Sequence, residues 1–464
     1  MKRKVEIIVL VSLCAAMVIP GCRISQPEQE SVLEVSRTTG GNPAIKEGSA
    51  DPSVRVFNDR VYVYSSHDFS PENEFWIMKD WKVFSTDDLL NFTDHGVALK
   101  GEDVSWAPEP DHCWAPDCIE KDGKYYFYFP LSDIRGVWKG RIGVGVSDKP
   151  YGPFIDPLGH PLVDSDTKLQ DSESGIYNID PAAFTDDDGR SYLFWGNGAC
   201  LLVELNDDMI SFKSEIRDVI IEDHIGYREG PFVWKRNGIY YLLYSRVGGS
   251  SYDVLDYATS DHIAGPYHFR GTVIAHGMKG NEHGSVFQYR GQWYVAYHDL
   301  FPTDKYRKTC LDIIHYRDNG EIVRSFPSRK GVGWYDAIEL IEAENYFEKS
   351  GDLEYAEHKE TGFYISQVEN GSWLHFPNVK MPFDFGGNFF ARVASGGDGG
   401  TIEIVVDSLD GTIIGDVNVV STDGWDNWKT VNTVLDQVSP TMDIYLKFKG
   451  GEGALFSLDW IDFI

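Results

Sequence analysis

Over the first three quarters of the chain, apolar and polar residues follow the two-residue alternation of β-strands, and no stretch holds a helical period. Five segments repeat one pattern: a Gly or Pro near the head, an apolar strand, a tight polar turn, then a Tyr-rich strand. They read DPSVRVFNDRVYVYSS from Asp51, APDCIEKDGKYYFYFP from Ala115, DPAAFTDDDGRSYLFWG from Asp180, EGPFVWKRNGIYYLLYS from Glu229 and HGSVFQYRGQWYVAYHD from His283. The turns Asn58-Asp59, Asp122-Gly123, Asp188-Gly189, Asn237-Gly238 and Arg290-Gly291 mostly carry the Gly or Asn that a left-handed backbone favours, which predicts hairpins. Segment starts lie roughly 50 to 65 residues apart, the length of a propeller blade with insertions. Residues 42–333 are therefore expected to form a five-bladed β-propeller.

The pattern stops near Phe326 to Gly333. Residues 334–464 carry short alternating strands, such as Thr401 to Val406 and Asp443 to Phe448, separated by Gly-rich turns, and predict a β-sandwich. The expected fold class is all-β, a propeller followed by a sandwich of jelly-roll type. At the other end, Lys2, Arg3 and Lys4 precede an apolar run from Ile7 to Ile19, too short to span a bilayer comfortably. The run ends in Val18-Ile19-Pro20-Gly21-Cys22, which resembles a bacterial lipobox. Residues 1–21 are thus expected to be a lipoprotein signal peptide, with Cys22 lipidated and residues 22–41 serving as a polar tether. The expected location is the bacterial cell envelope, with the membrane touched only through the lipid anchor.

Charge narrows the partners. With 42 Lys+Arg against 72 Asp+Glu the formal net charge is −30, which excludes nucleic acid and anionic membrane surfaces as natural ligands. Aromatic residues make up 14% of the chain, a content suited to strands and to rings that cover the apolar faces of sugars. Cys113, Cys118, Cys200 and Cys310 match no zinc spacing; a Cys113–Cys118 bridge and four buried thiols are both open.

If each repeat opens on the innermost strand of its blade, the heads of the segments share one depth around the central channel. Asp51, Ala115, Asp180, Glu229 and His283 then stand together at its mouth. Strict register from the tyrosines places Gly230 rather than Glu229 inward, so Glu229 needs a β-bulge to join them.

With Asp51-Pro52, Trp114 to Asp117, Asp180-Pro181, Glu229 to Pro231 and His283 to Ser285 in this order, the sequence resembles glycoside hydrolase family 43 over about residues 42 to 333. The resemblance implies an inverting glycosidase, in which one carboxylate activates water and one carboxylic acid protonates the leaving oxygen. By that pattern Asp51 is the general base, Glu229 the general acid, and Asp180 the neighbour that positions Glu229 and raises its pKa. His283 is implied at the channel centre, where family members often hold a calcium ion. Trp106 and Trp114 are candidates to floor the sugar pocket, and Arg307 to contact substrate, with Arg246 and Lys308 competing for that role.

The opening Ile341-Glu342-Ala343-Glu344, the Trp425 to Trp428 stretch and the closing Leu458-Asp459-Trp460 resemble a family 6 carbohydrate-binding module. That likeness implies a structural Ca²⁺ on Glu342, Glu344 and Asp459, hard oxygen ligands, and a loop-end sugar site using Trp425 with Tyr355 or Tyr364. Ser457 stands where the family uses an asparagine, so the module is expected to bind weakly, to use another face, or to brace the propeller. The implied activity is α-L-arabinofuranosidase or β-xylosidase action on plant cell-wall glycan such as arabinan or arabinoxylan, by a monomer. An exo-galactanase and a non-catalytic glycan-binding lipoprotein are the alternatives.

Overall fold

A computed structural model describes residues 33–35, 41–69, 77–107, 112–132, 140–164, 177–223, 226–247, 253–274, 282–300, 306–325, 327–358, 362–382, 387–436 and 439–464. The signal segment and Cys22 lie outside these residues.

The repeats fold into five sheets, antiparallel but for one short parallel pair in the fourth, as their alternation predicts. The first blade holds β1 (Leu33–Val35), β2 (Ala50–Phe57), β3 (Arg60–Ser66), β4 (Asp80–Thr86) and β5 (Phe92–Lys100), in the order β1-β5-β4-β3-β2. Leu33–Val35, inside the stretch read as a tether, thus adds an outer strand. The second blade holds β6 (Asp117–Lys121), β7 (Lys124–Leu131) and β8 (Arg141–Ser147). The third holds β9 (Ala182–Thr185), β10 (Ser191–Trp195), β11 (Leu201–Leu205) and β12 (Arg217–Asp218). The fourth holds β13 (Ile221–Glu222), β14 (Glu229–Arg236), β15 (Ile239–Val247), β16 (Asp253–Ser260) and β17 (Tyr267–Ile274), and the fifth β18 (Gly284–Tyr289), β19 (Gln292–Asp299) and β20 (Lys308–Ile313).

The innermost strands β2, β6, β9, β14 and β18 touch one another in sequence, and β18 returns to β2. Four of the five predicted hairpin turns have two consecutive residues at positive φ, the geometry that matches strand twist. Between blades the core is aromatic: Trp81 packs on Phe127 and Phe129, and Phe184 edge-on against Tyr240. The four cysteines in this region are buried free thiols, so the disulfide alternative falls.

Residues 42–49 close the ring. Asn42 donates through Nδ2 to the carbonyls of Leu311 (3.1 Å) and Ser328 (2.9 Å), and its Oδ1 accepts the Leu311 N–H at 2.9 Å. The Ala44 and Ile45 N–H groups donate to the Thr309 carbonyl, and the Ser49 N–H to that of Arg307. The first and last blades are thereby stitched by main-chain groups that would otherwise be buried without partners.

The C-terminal sandwich comprises β21 (Tyr335–Asp336), β22 (Ile341–Glu342), β23 (Glu348–Ser350), β24 (Glu354–His358), β25 (Gly362–Glu369), β26 (Trp373–Lys380), β27 (Gly387–Ser395), β28 (Gly400–Val406), β29 (Thr412–Val419), β30 (Gly424–Leu435), β31 (Thr441–Gly450) and β32 (Ala454–Phe463). One sheet runs β21-β26-β31-β28-β29 with β23 on β26, the other β24-β25-β32-β27-β30 with β22 on β32. Their facing residues, among them Phe376, Phe389, Ile404, Leu446 and Phe456, form one core.

The sandwich docks on the fifth blade. Phe347 enters the core shared by blades one and five, and Gln292 donates to the carbonyls of Glu344 (2.8 Å) and Tyr346 (3.3 Å). Tyr355, His315 and Phe363 form a three-ring cluster, with Tyr355 5.4 Å from His315 and 4.7 Å from Phe363, and those two 5.7 Å apart. Replacing Asn42 with Ala orphans the buried Leu311 N–H, and is expected to lower unfolding free energy by about 1–3 kcal/mol, read by urea denaturation.

Candidate active site

Three irregularities in the inner strands turn acids toward the axis. Pairing in β2–β3 jumps from Ala50 opposite Ser66 to Ser53 opposite Tyr64, and Asp51 between them has φ 54°. Pairing in β14–β15 jumps between Glu229 and Phe232, with Gly230 at φ 67°. This is the bulge that the register requires for Glu229. Asp180, two residues before β9, sits at φ 58°. Left-handed backbone at two non-glycine acids is strain of the kind held at functional sites.

The acids line one cavity of about 250 Å³, sized nearer to one sugar ring than to an extended cleft. Its wall includes Asp51, Asp180, Glu229, His283, Arg307, Trp114, Tyr177, Asn197 and Arg228. Asp51 is buried with a cationic partner. Its carboxylate accepts from the Arg307 guanidinium at 3.0 Å and the Ser66 hydroxyl at 2.5 Å, while its N–H donates to His298 Nδ1 at 3.0 Å. Burial pushes the Asp51 carboxyl up, but Arg307, His298, His283 and Ser66 together hold it below the ordinary range, so it is charged.

Asp180 is the opposite case. Burial first, then the neighbouring charges of Glu229 and Asp51, push its carboxyl well above the usual range. Its Oδ2 accepts the Gly230 N–H at 3.1 Å, which fixes the bulge that presents Glu229. Glu229 accepts from Asn197 Nδ2 at 2.5 Å, and Arg228 Nε stands 3.4 Å from its other oxygen. Two buried carboxyls so close retain a proton that an isolated pair in water would lose.

His283 is packed against Gly230, with Nε2 3.8 Å from Asp180 Oδ2 and no hydrogen bond to either ring nitrogen. Burial lowers its pKa, leaving a neutral ring at the channel centre. Arg307 lines the cavity and is locked by Asp51 and by Asp68, which accepts its Nε at 2.9 Å. Arg246, a competitor for the role, instead pairs with Asp256. Trp114 lines the cavity, whereas Trp106 does not; half-buried against the core of the first two blades, it stacks on Phe129 and donates to Asp156 at 2.9 Å. The repeat head Ala115 is displaced by Asp117, whose buried carboxylate takes Ser53, Arg55 and the Ala183 N–H and ties β2, β6 and β9 below the cavity.

Ser66, Asp68, Asn197 and His298 also build the site, but they stand at or beyond strand ends rather than at the repeat heads. An antiparallel hairpin returns the end of its second strand to the same rim, so residues just after VYVYS, YLFWG and WYVAY were the signal.

In the sandwich, Glu344 Oε2 and Asp459 Oδ1 are buried without hydrogen bonds, and Asp459 Oδ2 accepts from Arg392 at 3.0 Å. Burial, then the charges of Glu342 and Asp459, push Glu344 up to about 9. Unsatisfied carboxylate oxygens of this kind suit a hard cation, although among the described residues no three such side chains stand close enough to form a ready metal site. Trp425 is 43% exposed beside Gly396. Tyr355, half-buried against His315 at the propeller junction, is unavailable as its partner ring, and Tyr364 packs edge-on against Trp428.

A propeller whose axis holds a charged acid and a proton-sharing acid pair is the scaffold of a glycoside hydrolase. The chain belongs to glycosyl hydrolases family 43, whose family model matches residues 41–322; that of carbohydrate binding module family 6 matches residues 342–464. It is 35% identical over 301 residues to a xylosidase/arabinosidase of Bacteroides ovatus, covering 55% of this chain and 87% of that protein. It is 29% identical to an arabinoxylan arabinofuranohydrolase of Bacillus subtilis, covering 91% of this chain and 92% of that one. Among solved structures, a family 43 arabinoxylan arabinofuranohydrolase from Bacillus subtilis in complex with cellotetraose gives a TM-score of 0.54 at 28% identity, over 91% of this chain and 97% of that one. A β-xylosidase/α-arabinofuranosidase from a compost metagenome, in complex with xylotriose and in calcium-free form, gives 0.54 at 31% identity, over 63% and 99%.

Gly230→Ala sets a Cβ 2.9 Å from the His283 ring on a left-handed backbone. It is expected to destabilise the fold by at least about 1 kcal/mol and to displace Glu229, read as a lower Tm with loss of hydrolysis in the fraction still folded.

Proposed function

We propose that the chain is an inverting exo- or debranching glycosidase that removes α-L-arabinofuranosyl or β-xylosyl units from plant cell-wall glycan, with Asp51 as general base and Glu229 as general acid. The observation that carries this reading is the asymmetry of the two carboxyls within one cavity. Asp51 is held charged by Arg307, ready to take a proton from water. Glu229 stands beside Asp180, whose carboxyl is pushed well up by burial and by the charges of Glu229 and Asp51; the proton this pair retains is the one Glu229 would give to the leaving oxygen. Water attacks the anomeric carbon from the Asp51 side as the glycosidic bond breaks, and Glu229 neutralises the departing oxygen. Trp114 offers a ring face to the sugar, and His283 and Arg307 border the same space. Relatives named for xylosidase, arabinosidase and arabinofuranohydrolase activity support both pentoses. A binding protein has no need of such asymmetry, which disfavours the non-catalytic alternative.

Asp51→Asn and Glu229→Gln are each expected to cut hydrolysis of aryl arabinofuranosides and xylosides by about 10²–10⁴-fold with Tm near wild type. Glu229→Gln loses little on a dinitrophenyl glycoside, whose leaving group needs no proton, whereas Asp51→Asn fails on all; equal losses on both substrates would reject these roles. Arg307→Gln removes the cation that lowers the Asp51 pKa, so the acid limb of the pH–rate profile should move to higher pH.

The reading extends to calcium in the sandwich. Glu342, Glu344 and Asp459 would hold the ion, whose charge would offset the repulsion and desolvation recorded at Glu344. A second cation near His283 fits its unpartnered nitrogens only through an intervening water, since calcium prefers oxygen. EDTA is expected to lower the Tm of the sandwich, and added Ca²⁺ to restore it. Lipidation at Cys22 and an envelope location, supported by the basic and apolar segments before it, complete the reading.

A further inference from the structure

A second cavity, of about 350 Å³, lies where blades four and five meet the sandwich. Arg236 ends the strand that Glu229 begins, so this cavity opens on the opposite side of the propeller, roughly 20 Å from the catalytic acids along β14. Its wall combines Lys235, Arg236 and Lys349 with Trp293, Tyr316, Tyr346 and Tyr355, and includes no carboxylate. In a chain of net charge −30 that composition is anomalous.

Two of these three cations form no ion pair among the described residues. Arg236 lies 4.2 Å over the Tyr316 ring and bonds the Tyr241 hydroxyl, and no carboxylate pairs with it among the described residues. Lys349 donates to the Leu353 carbonyl; burial lowers its pKa, the charges of Asp352 and Glu354 raise it, and neither acid forms an ion pair with it among those residues. Lys235 differs, being neutralised by Asp186 and Asp187. Trp293 stands edge-on to Tyr316, and the exposed amides of Asn237 and Gln288 reach the same rim with no hydrogen bond recorded to either side chain.

We propose that this cavity is a second saccharide-binding site, shaped for a glycan segment bearing a carboxylate, as a uronosyl residue does. Each component has its part. An indole gives a stacking face for a pyranose, the amides suit hydroxyls, and a pre-set guanidinium with an ammonium pairs with the carboxylate at charge-assisted strength. Because propeller and sandwich both build the wall, the site exists only in the joined protein, and gives the rigid junction a purpose beyond bracing. An acidic side group of a substituted polysaccharide would be gripped on this face while a neutral pentosyl unit occupies the funnel on the other.

Calorimetric titration of the full chain with a glucuronosyl-substituted xylo-oligosaccharide, the unsubstituted oligosaccharide of equal length and inorganic phosphate tests the proposal. The acidic sugar is expected to bind about tenfold tighter than the neutral one, and less so at high salt. Arg236→Gln should abolish that difference, and so should Gln288→Glu, an exposed position where a new carboxylate repels the ligand without disturbing the fold. Both variants should hydrolyse aryl pentosides as wild type does, so binding reports on this cavity and hydrolysis on the funnel. Equal affinity for the two sugars, unchanged affinity in both variants, or phosphate competing as well as the acidic sugar would overturn the proposal.

Discussion

Four carboxylates are taken out of water at the axis of this molecule, and the fold is arranged around making that tolerable. Removing an ion from water costs several kcal/mol unless partners replace the lost hydration. Asp117 is answered by Arg55, Ser53 and a main-chain N–H; Asp51 by Arg307, Ser66 and its neighbours; Asp180 and Glu229 by a retained proton and by Gly230 and Asn197. The three solutions differ, and the difference divides structure from chemistry. Asp117, fully paired, ties three strands together, while the less completely answered acids above it face the cavity.

The repeat made the architecture legible. Alternation and turn residues mark the hairpins directly, and aromatic side chains pack between neighbouring blades, as Trp81 on Phe127 and Phe184 on Tyr240. Recognition of Asp51, Asp180 and Glu229 as a group also came from the repeat, and so did the bulge at Glu229, because a one-residue mismatch of register has only a few physical remedies. The supporting residues were hidden for the converse reason. Ser66, Asp68, Asn197 and His298 come from different strand ends and loops, and their meeting depends on closure of the ring rather than on any local pattern. Trp106 and Trp114 show the same limit: two Trp-Ala-Pro stretches read alike, yet one ring packs on Phe129 while the other borders the cavity.

The sandwich is more than an appendage on a linker. Its opening segment places Phe347 in the propeller core and offers the Glu344 and Tyr346 carbonyls to Gln292. Glu344, two residues from Tyr346, is also one of the three acids proposed above to hold calcium, so docking and the proposed ion share a few residues of chain. Of the three fates open to this module, bracing is therefore met by direct contacts, whatever its loops bind.

Closure of the ring by residues 42–49 has a consequence for biogenesis. Asn42 finds its partner Leu311 across 269 positions of sequence. During synthesis the head of the first blade emerges long before the strand that will receive it, and must wait through the making of every intervening blade. Such distant pairing makes for slow folding and for a nascent chain with an open flank. A shielding chaperone, or export of the chain before it folds, would resolve that interval.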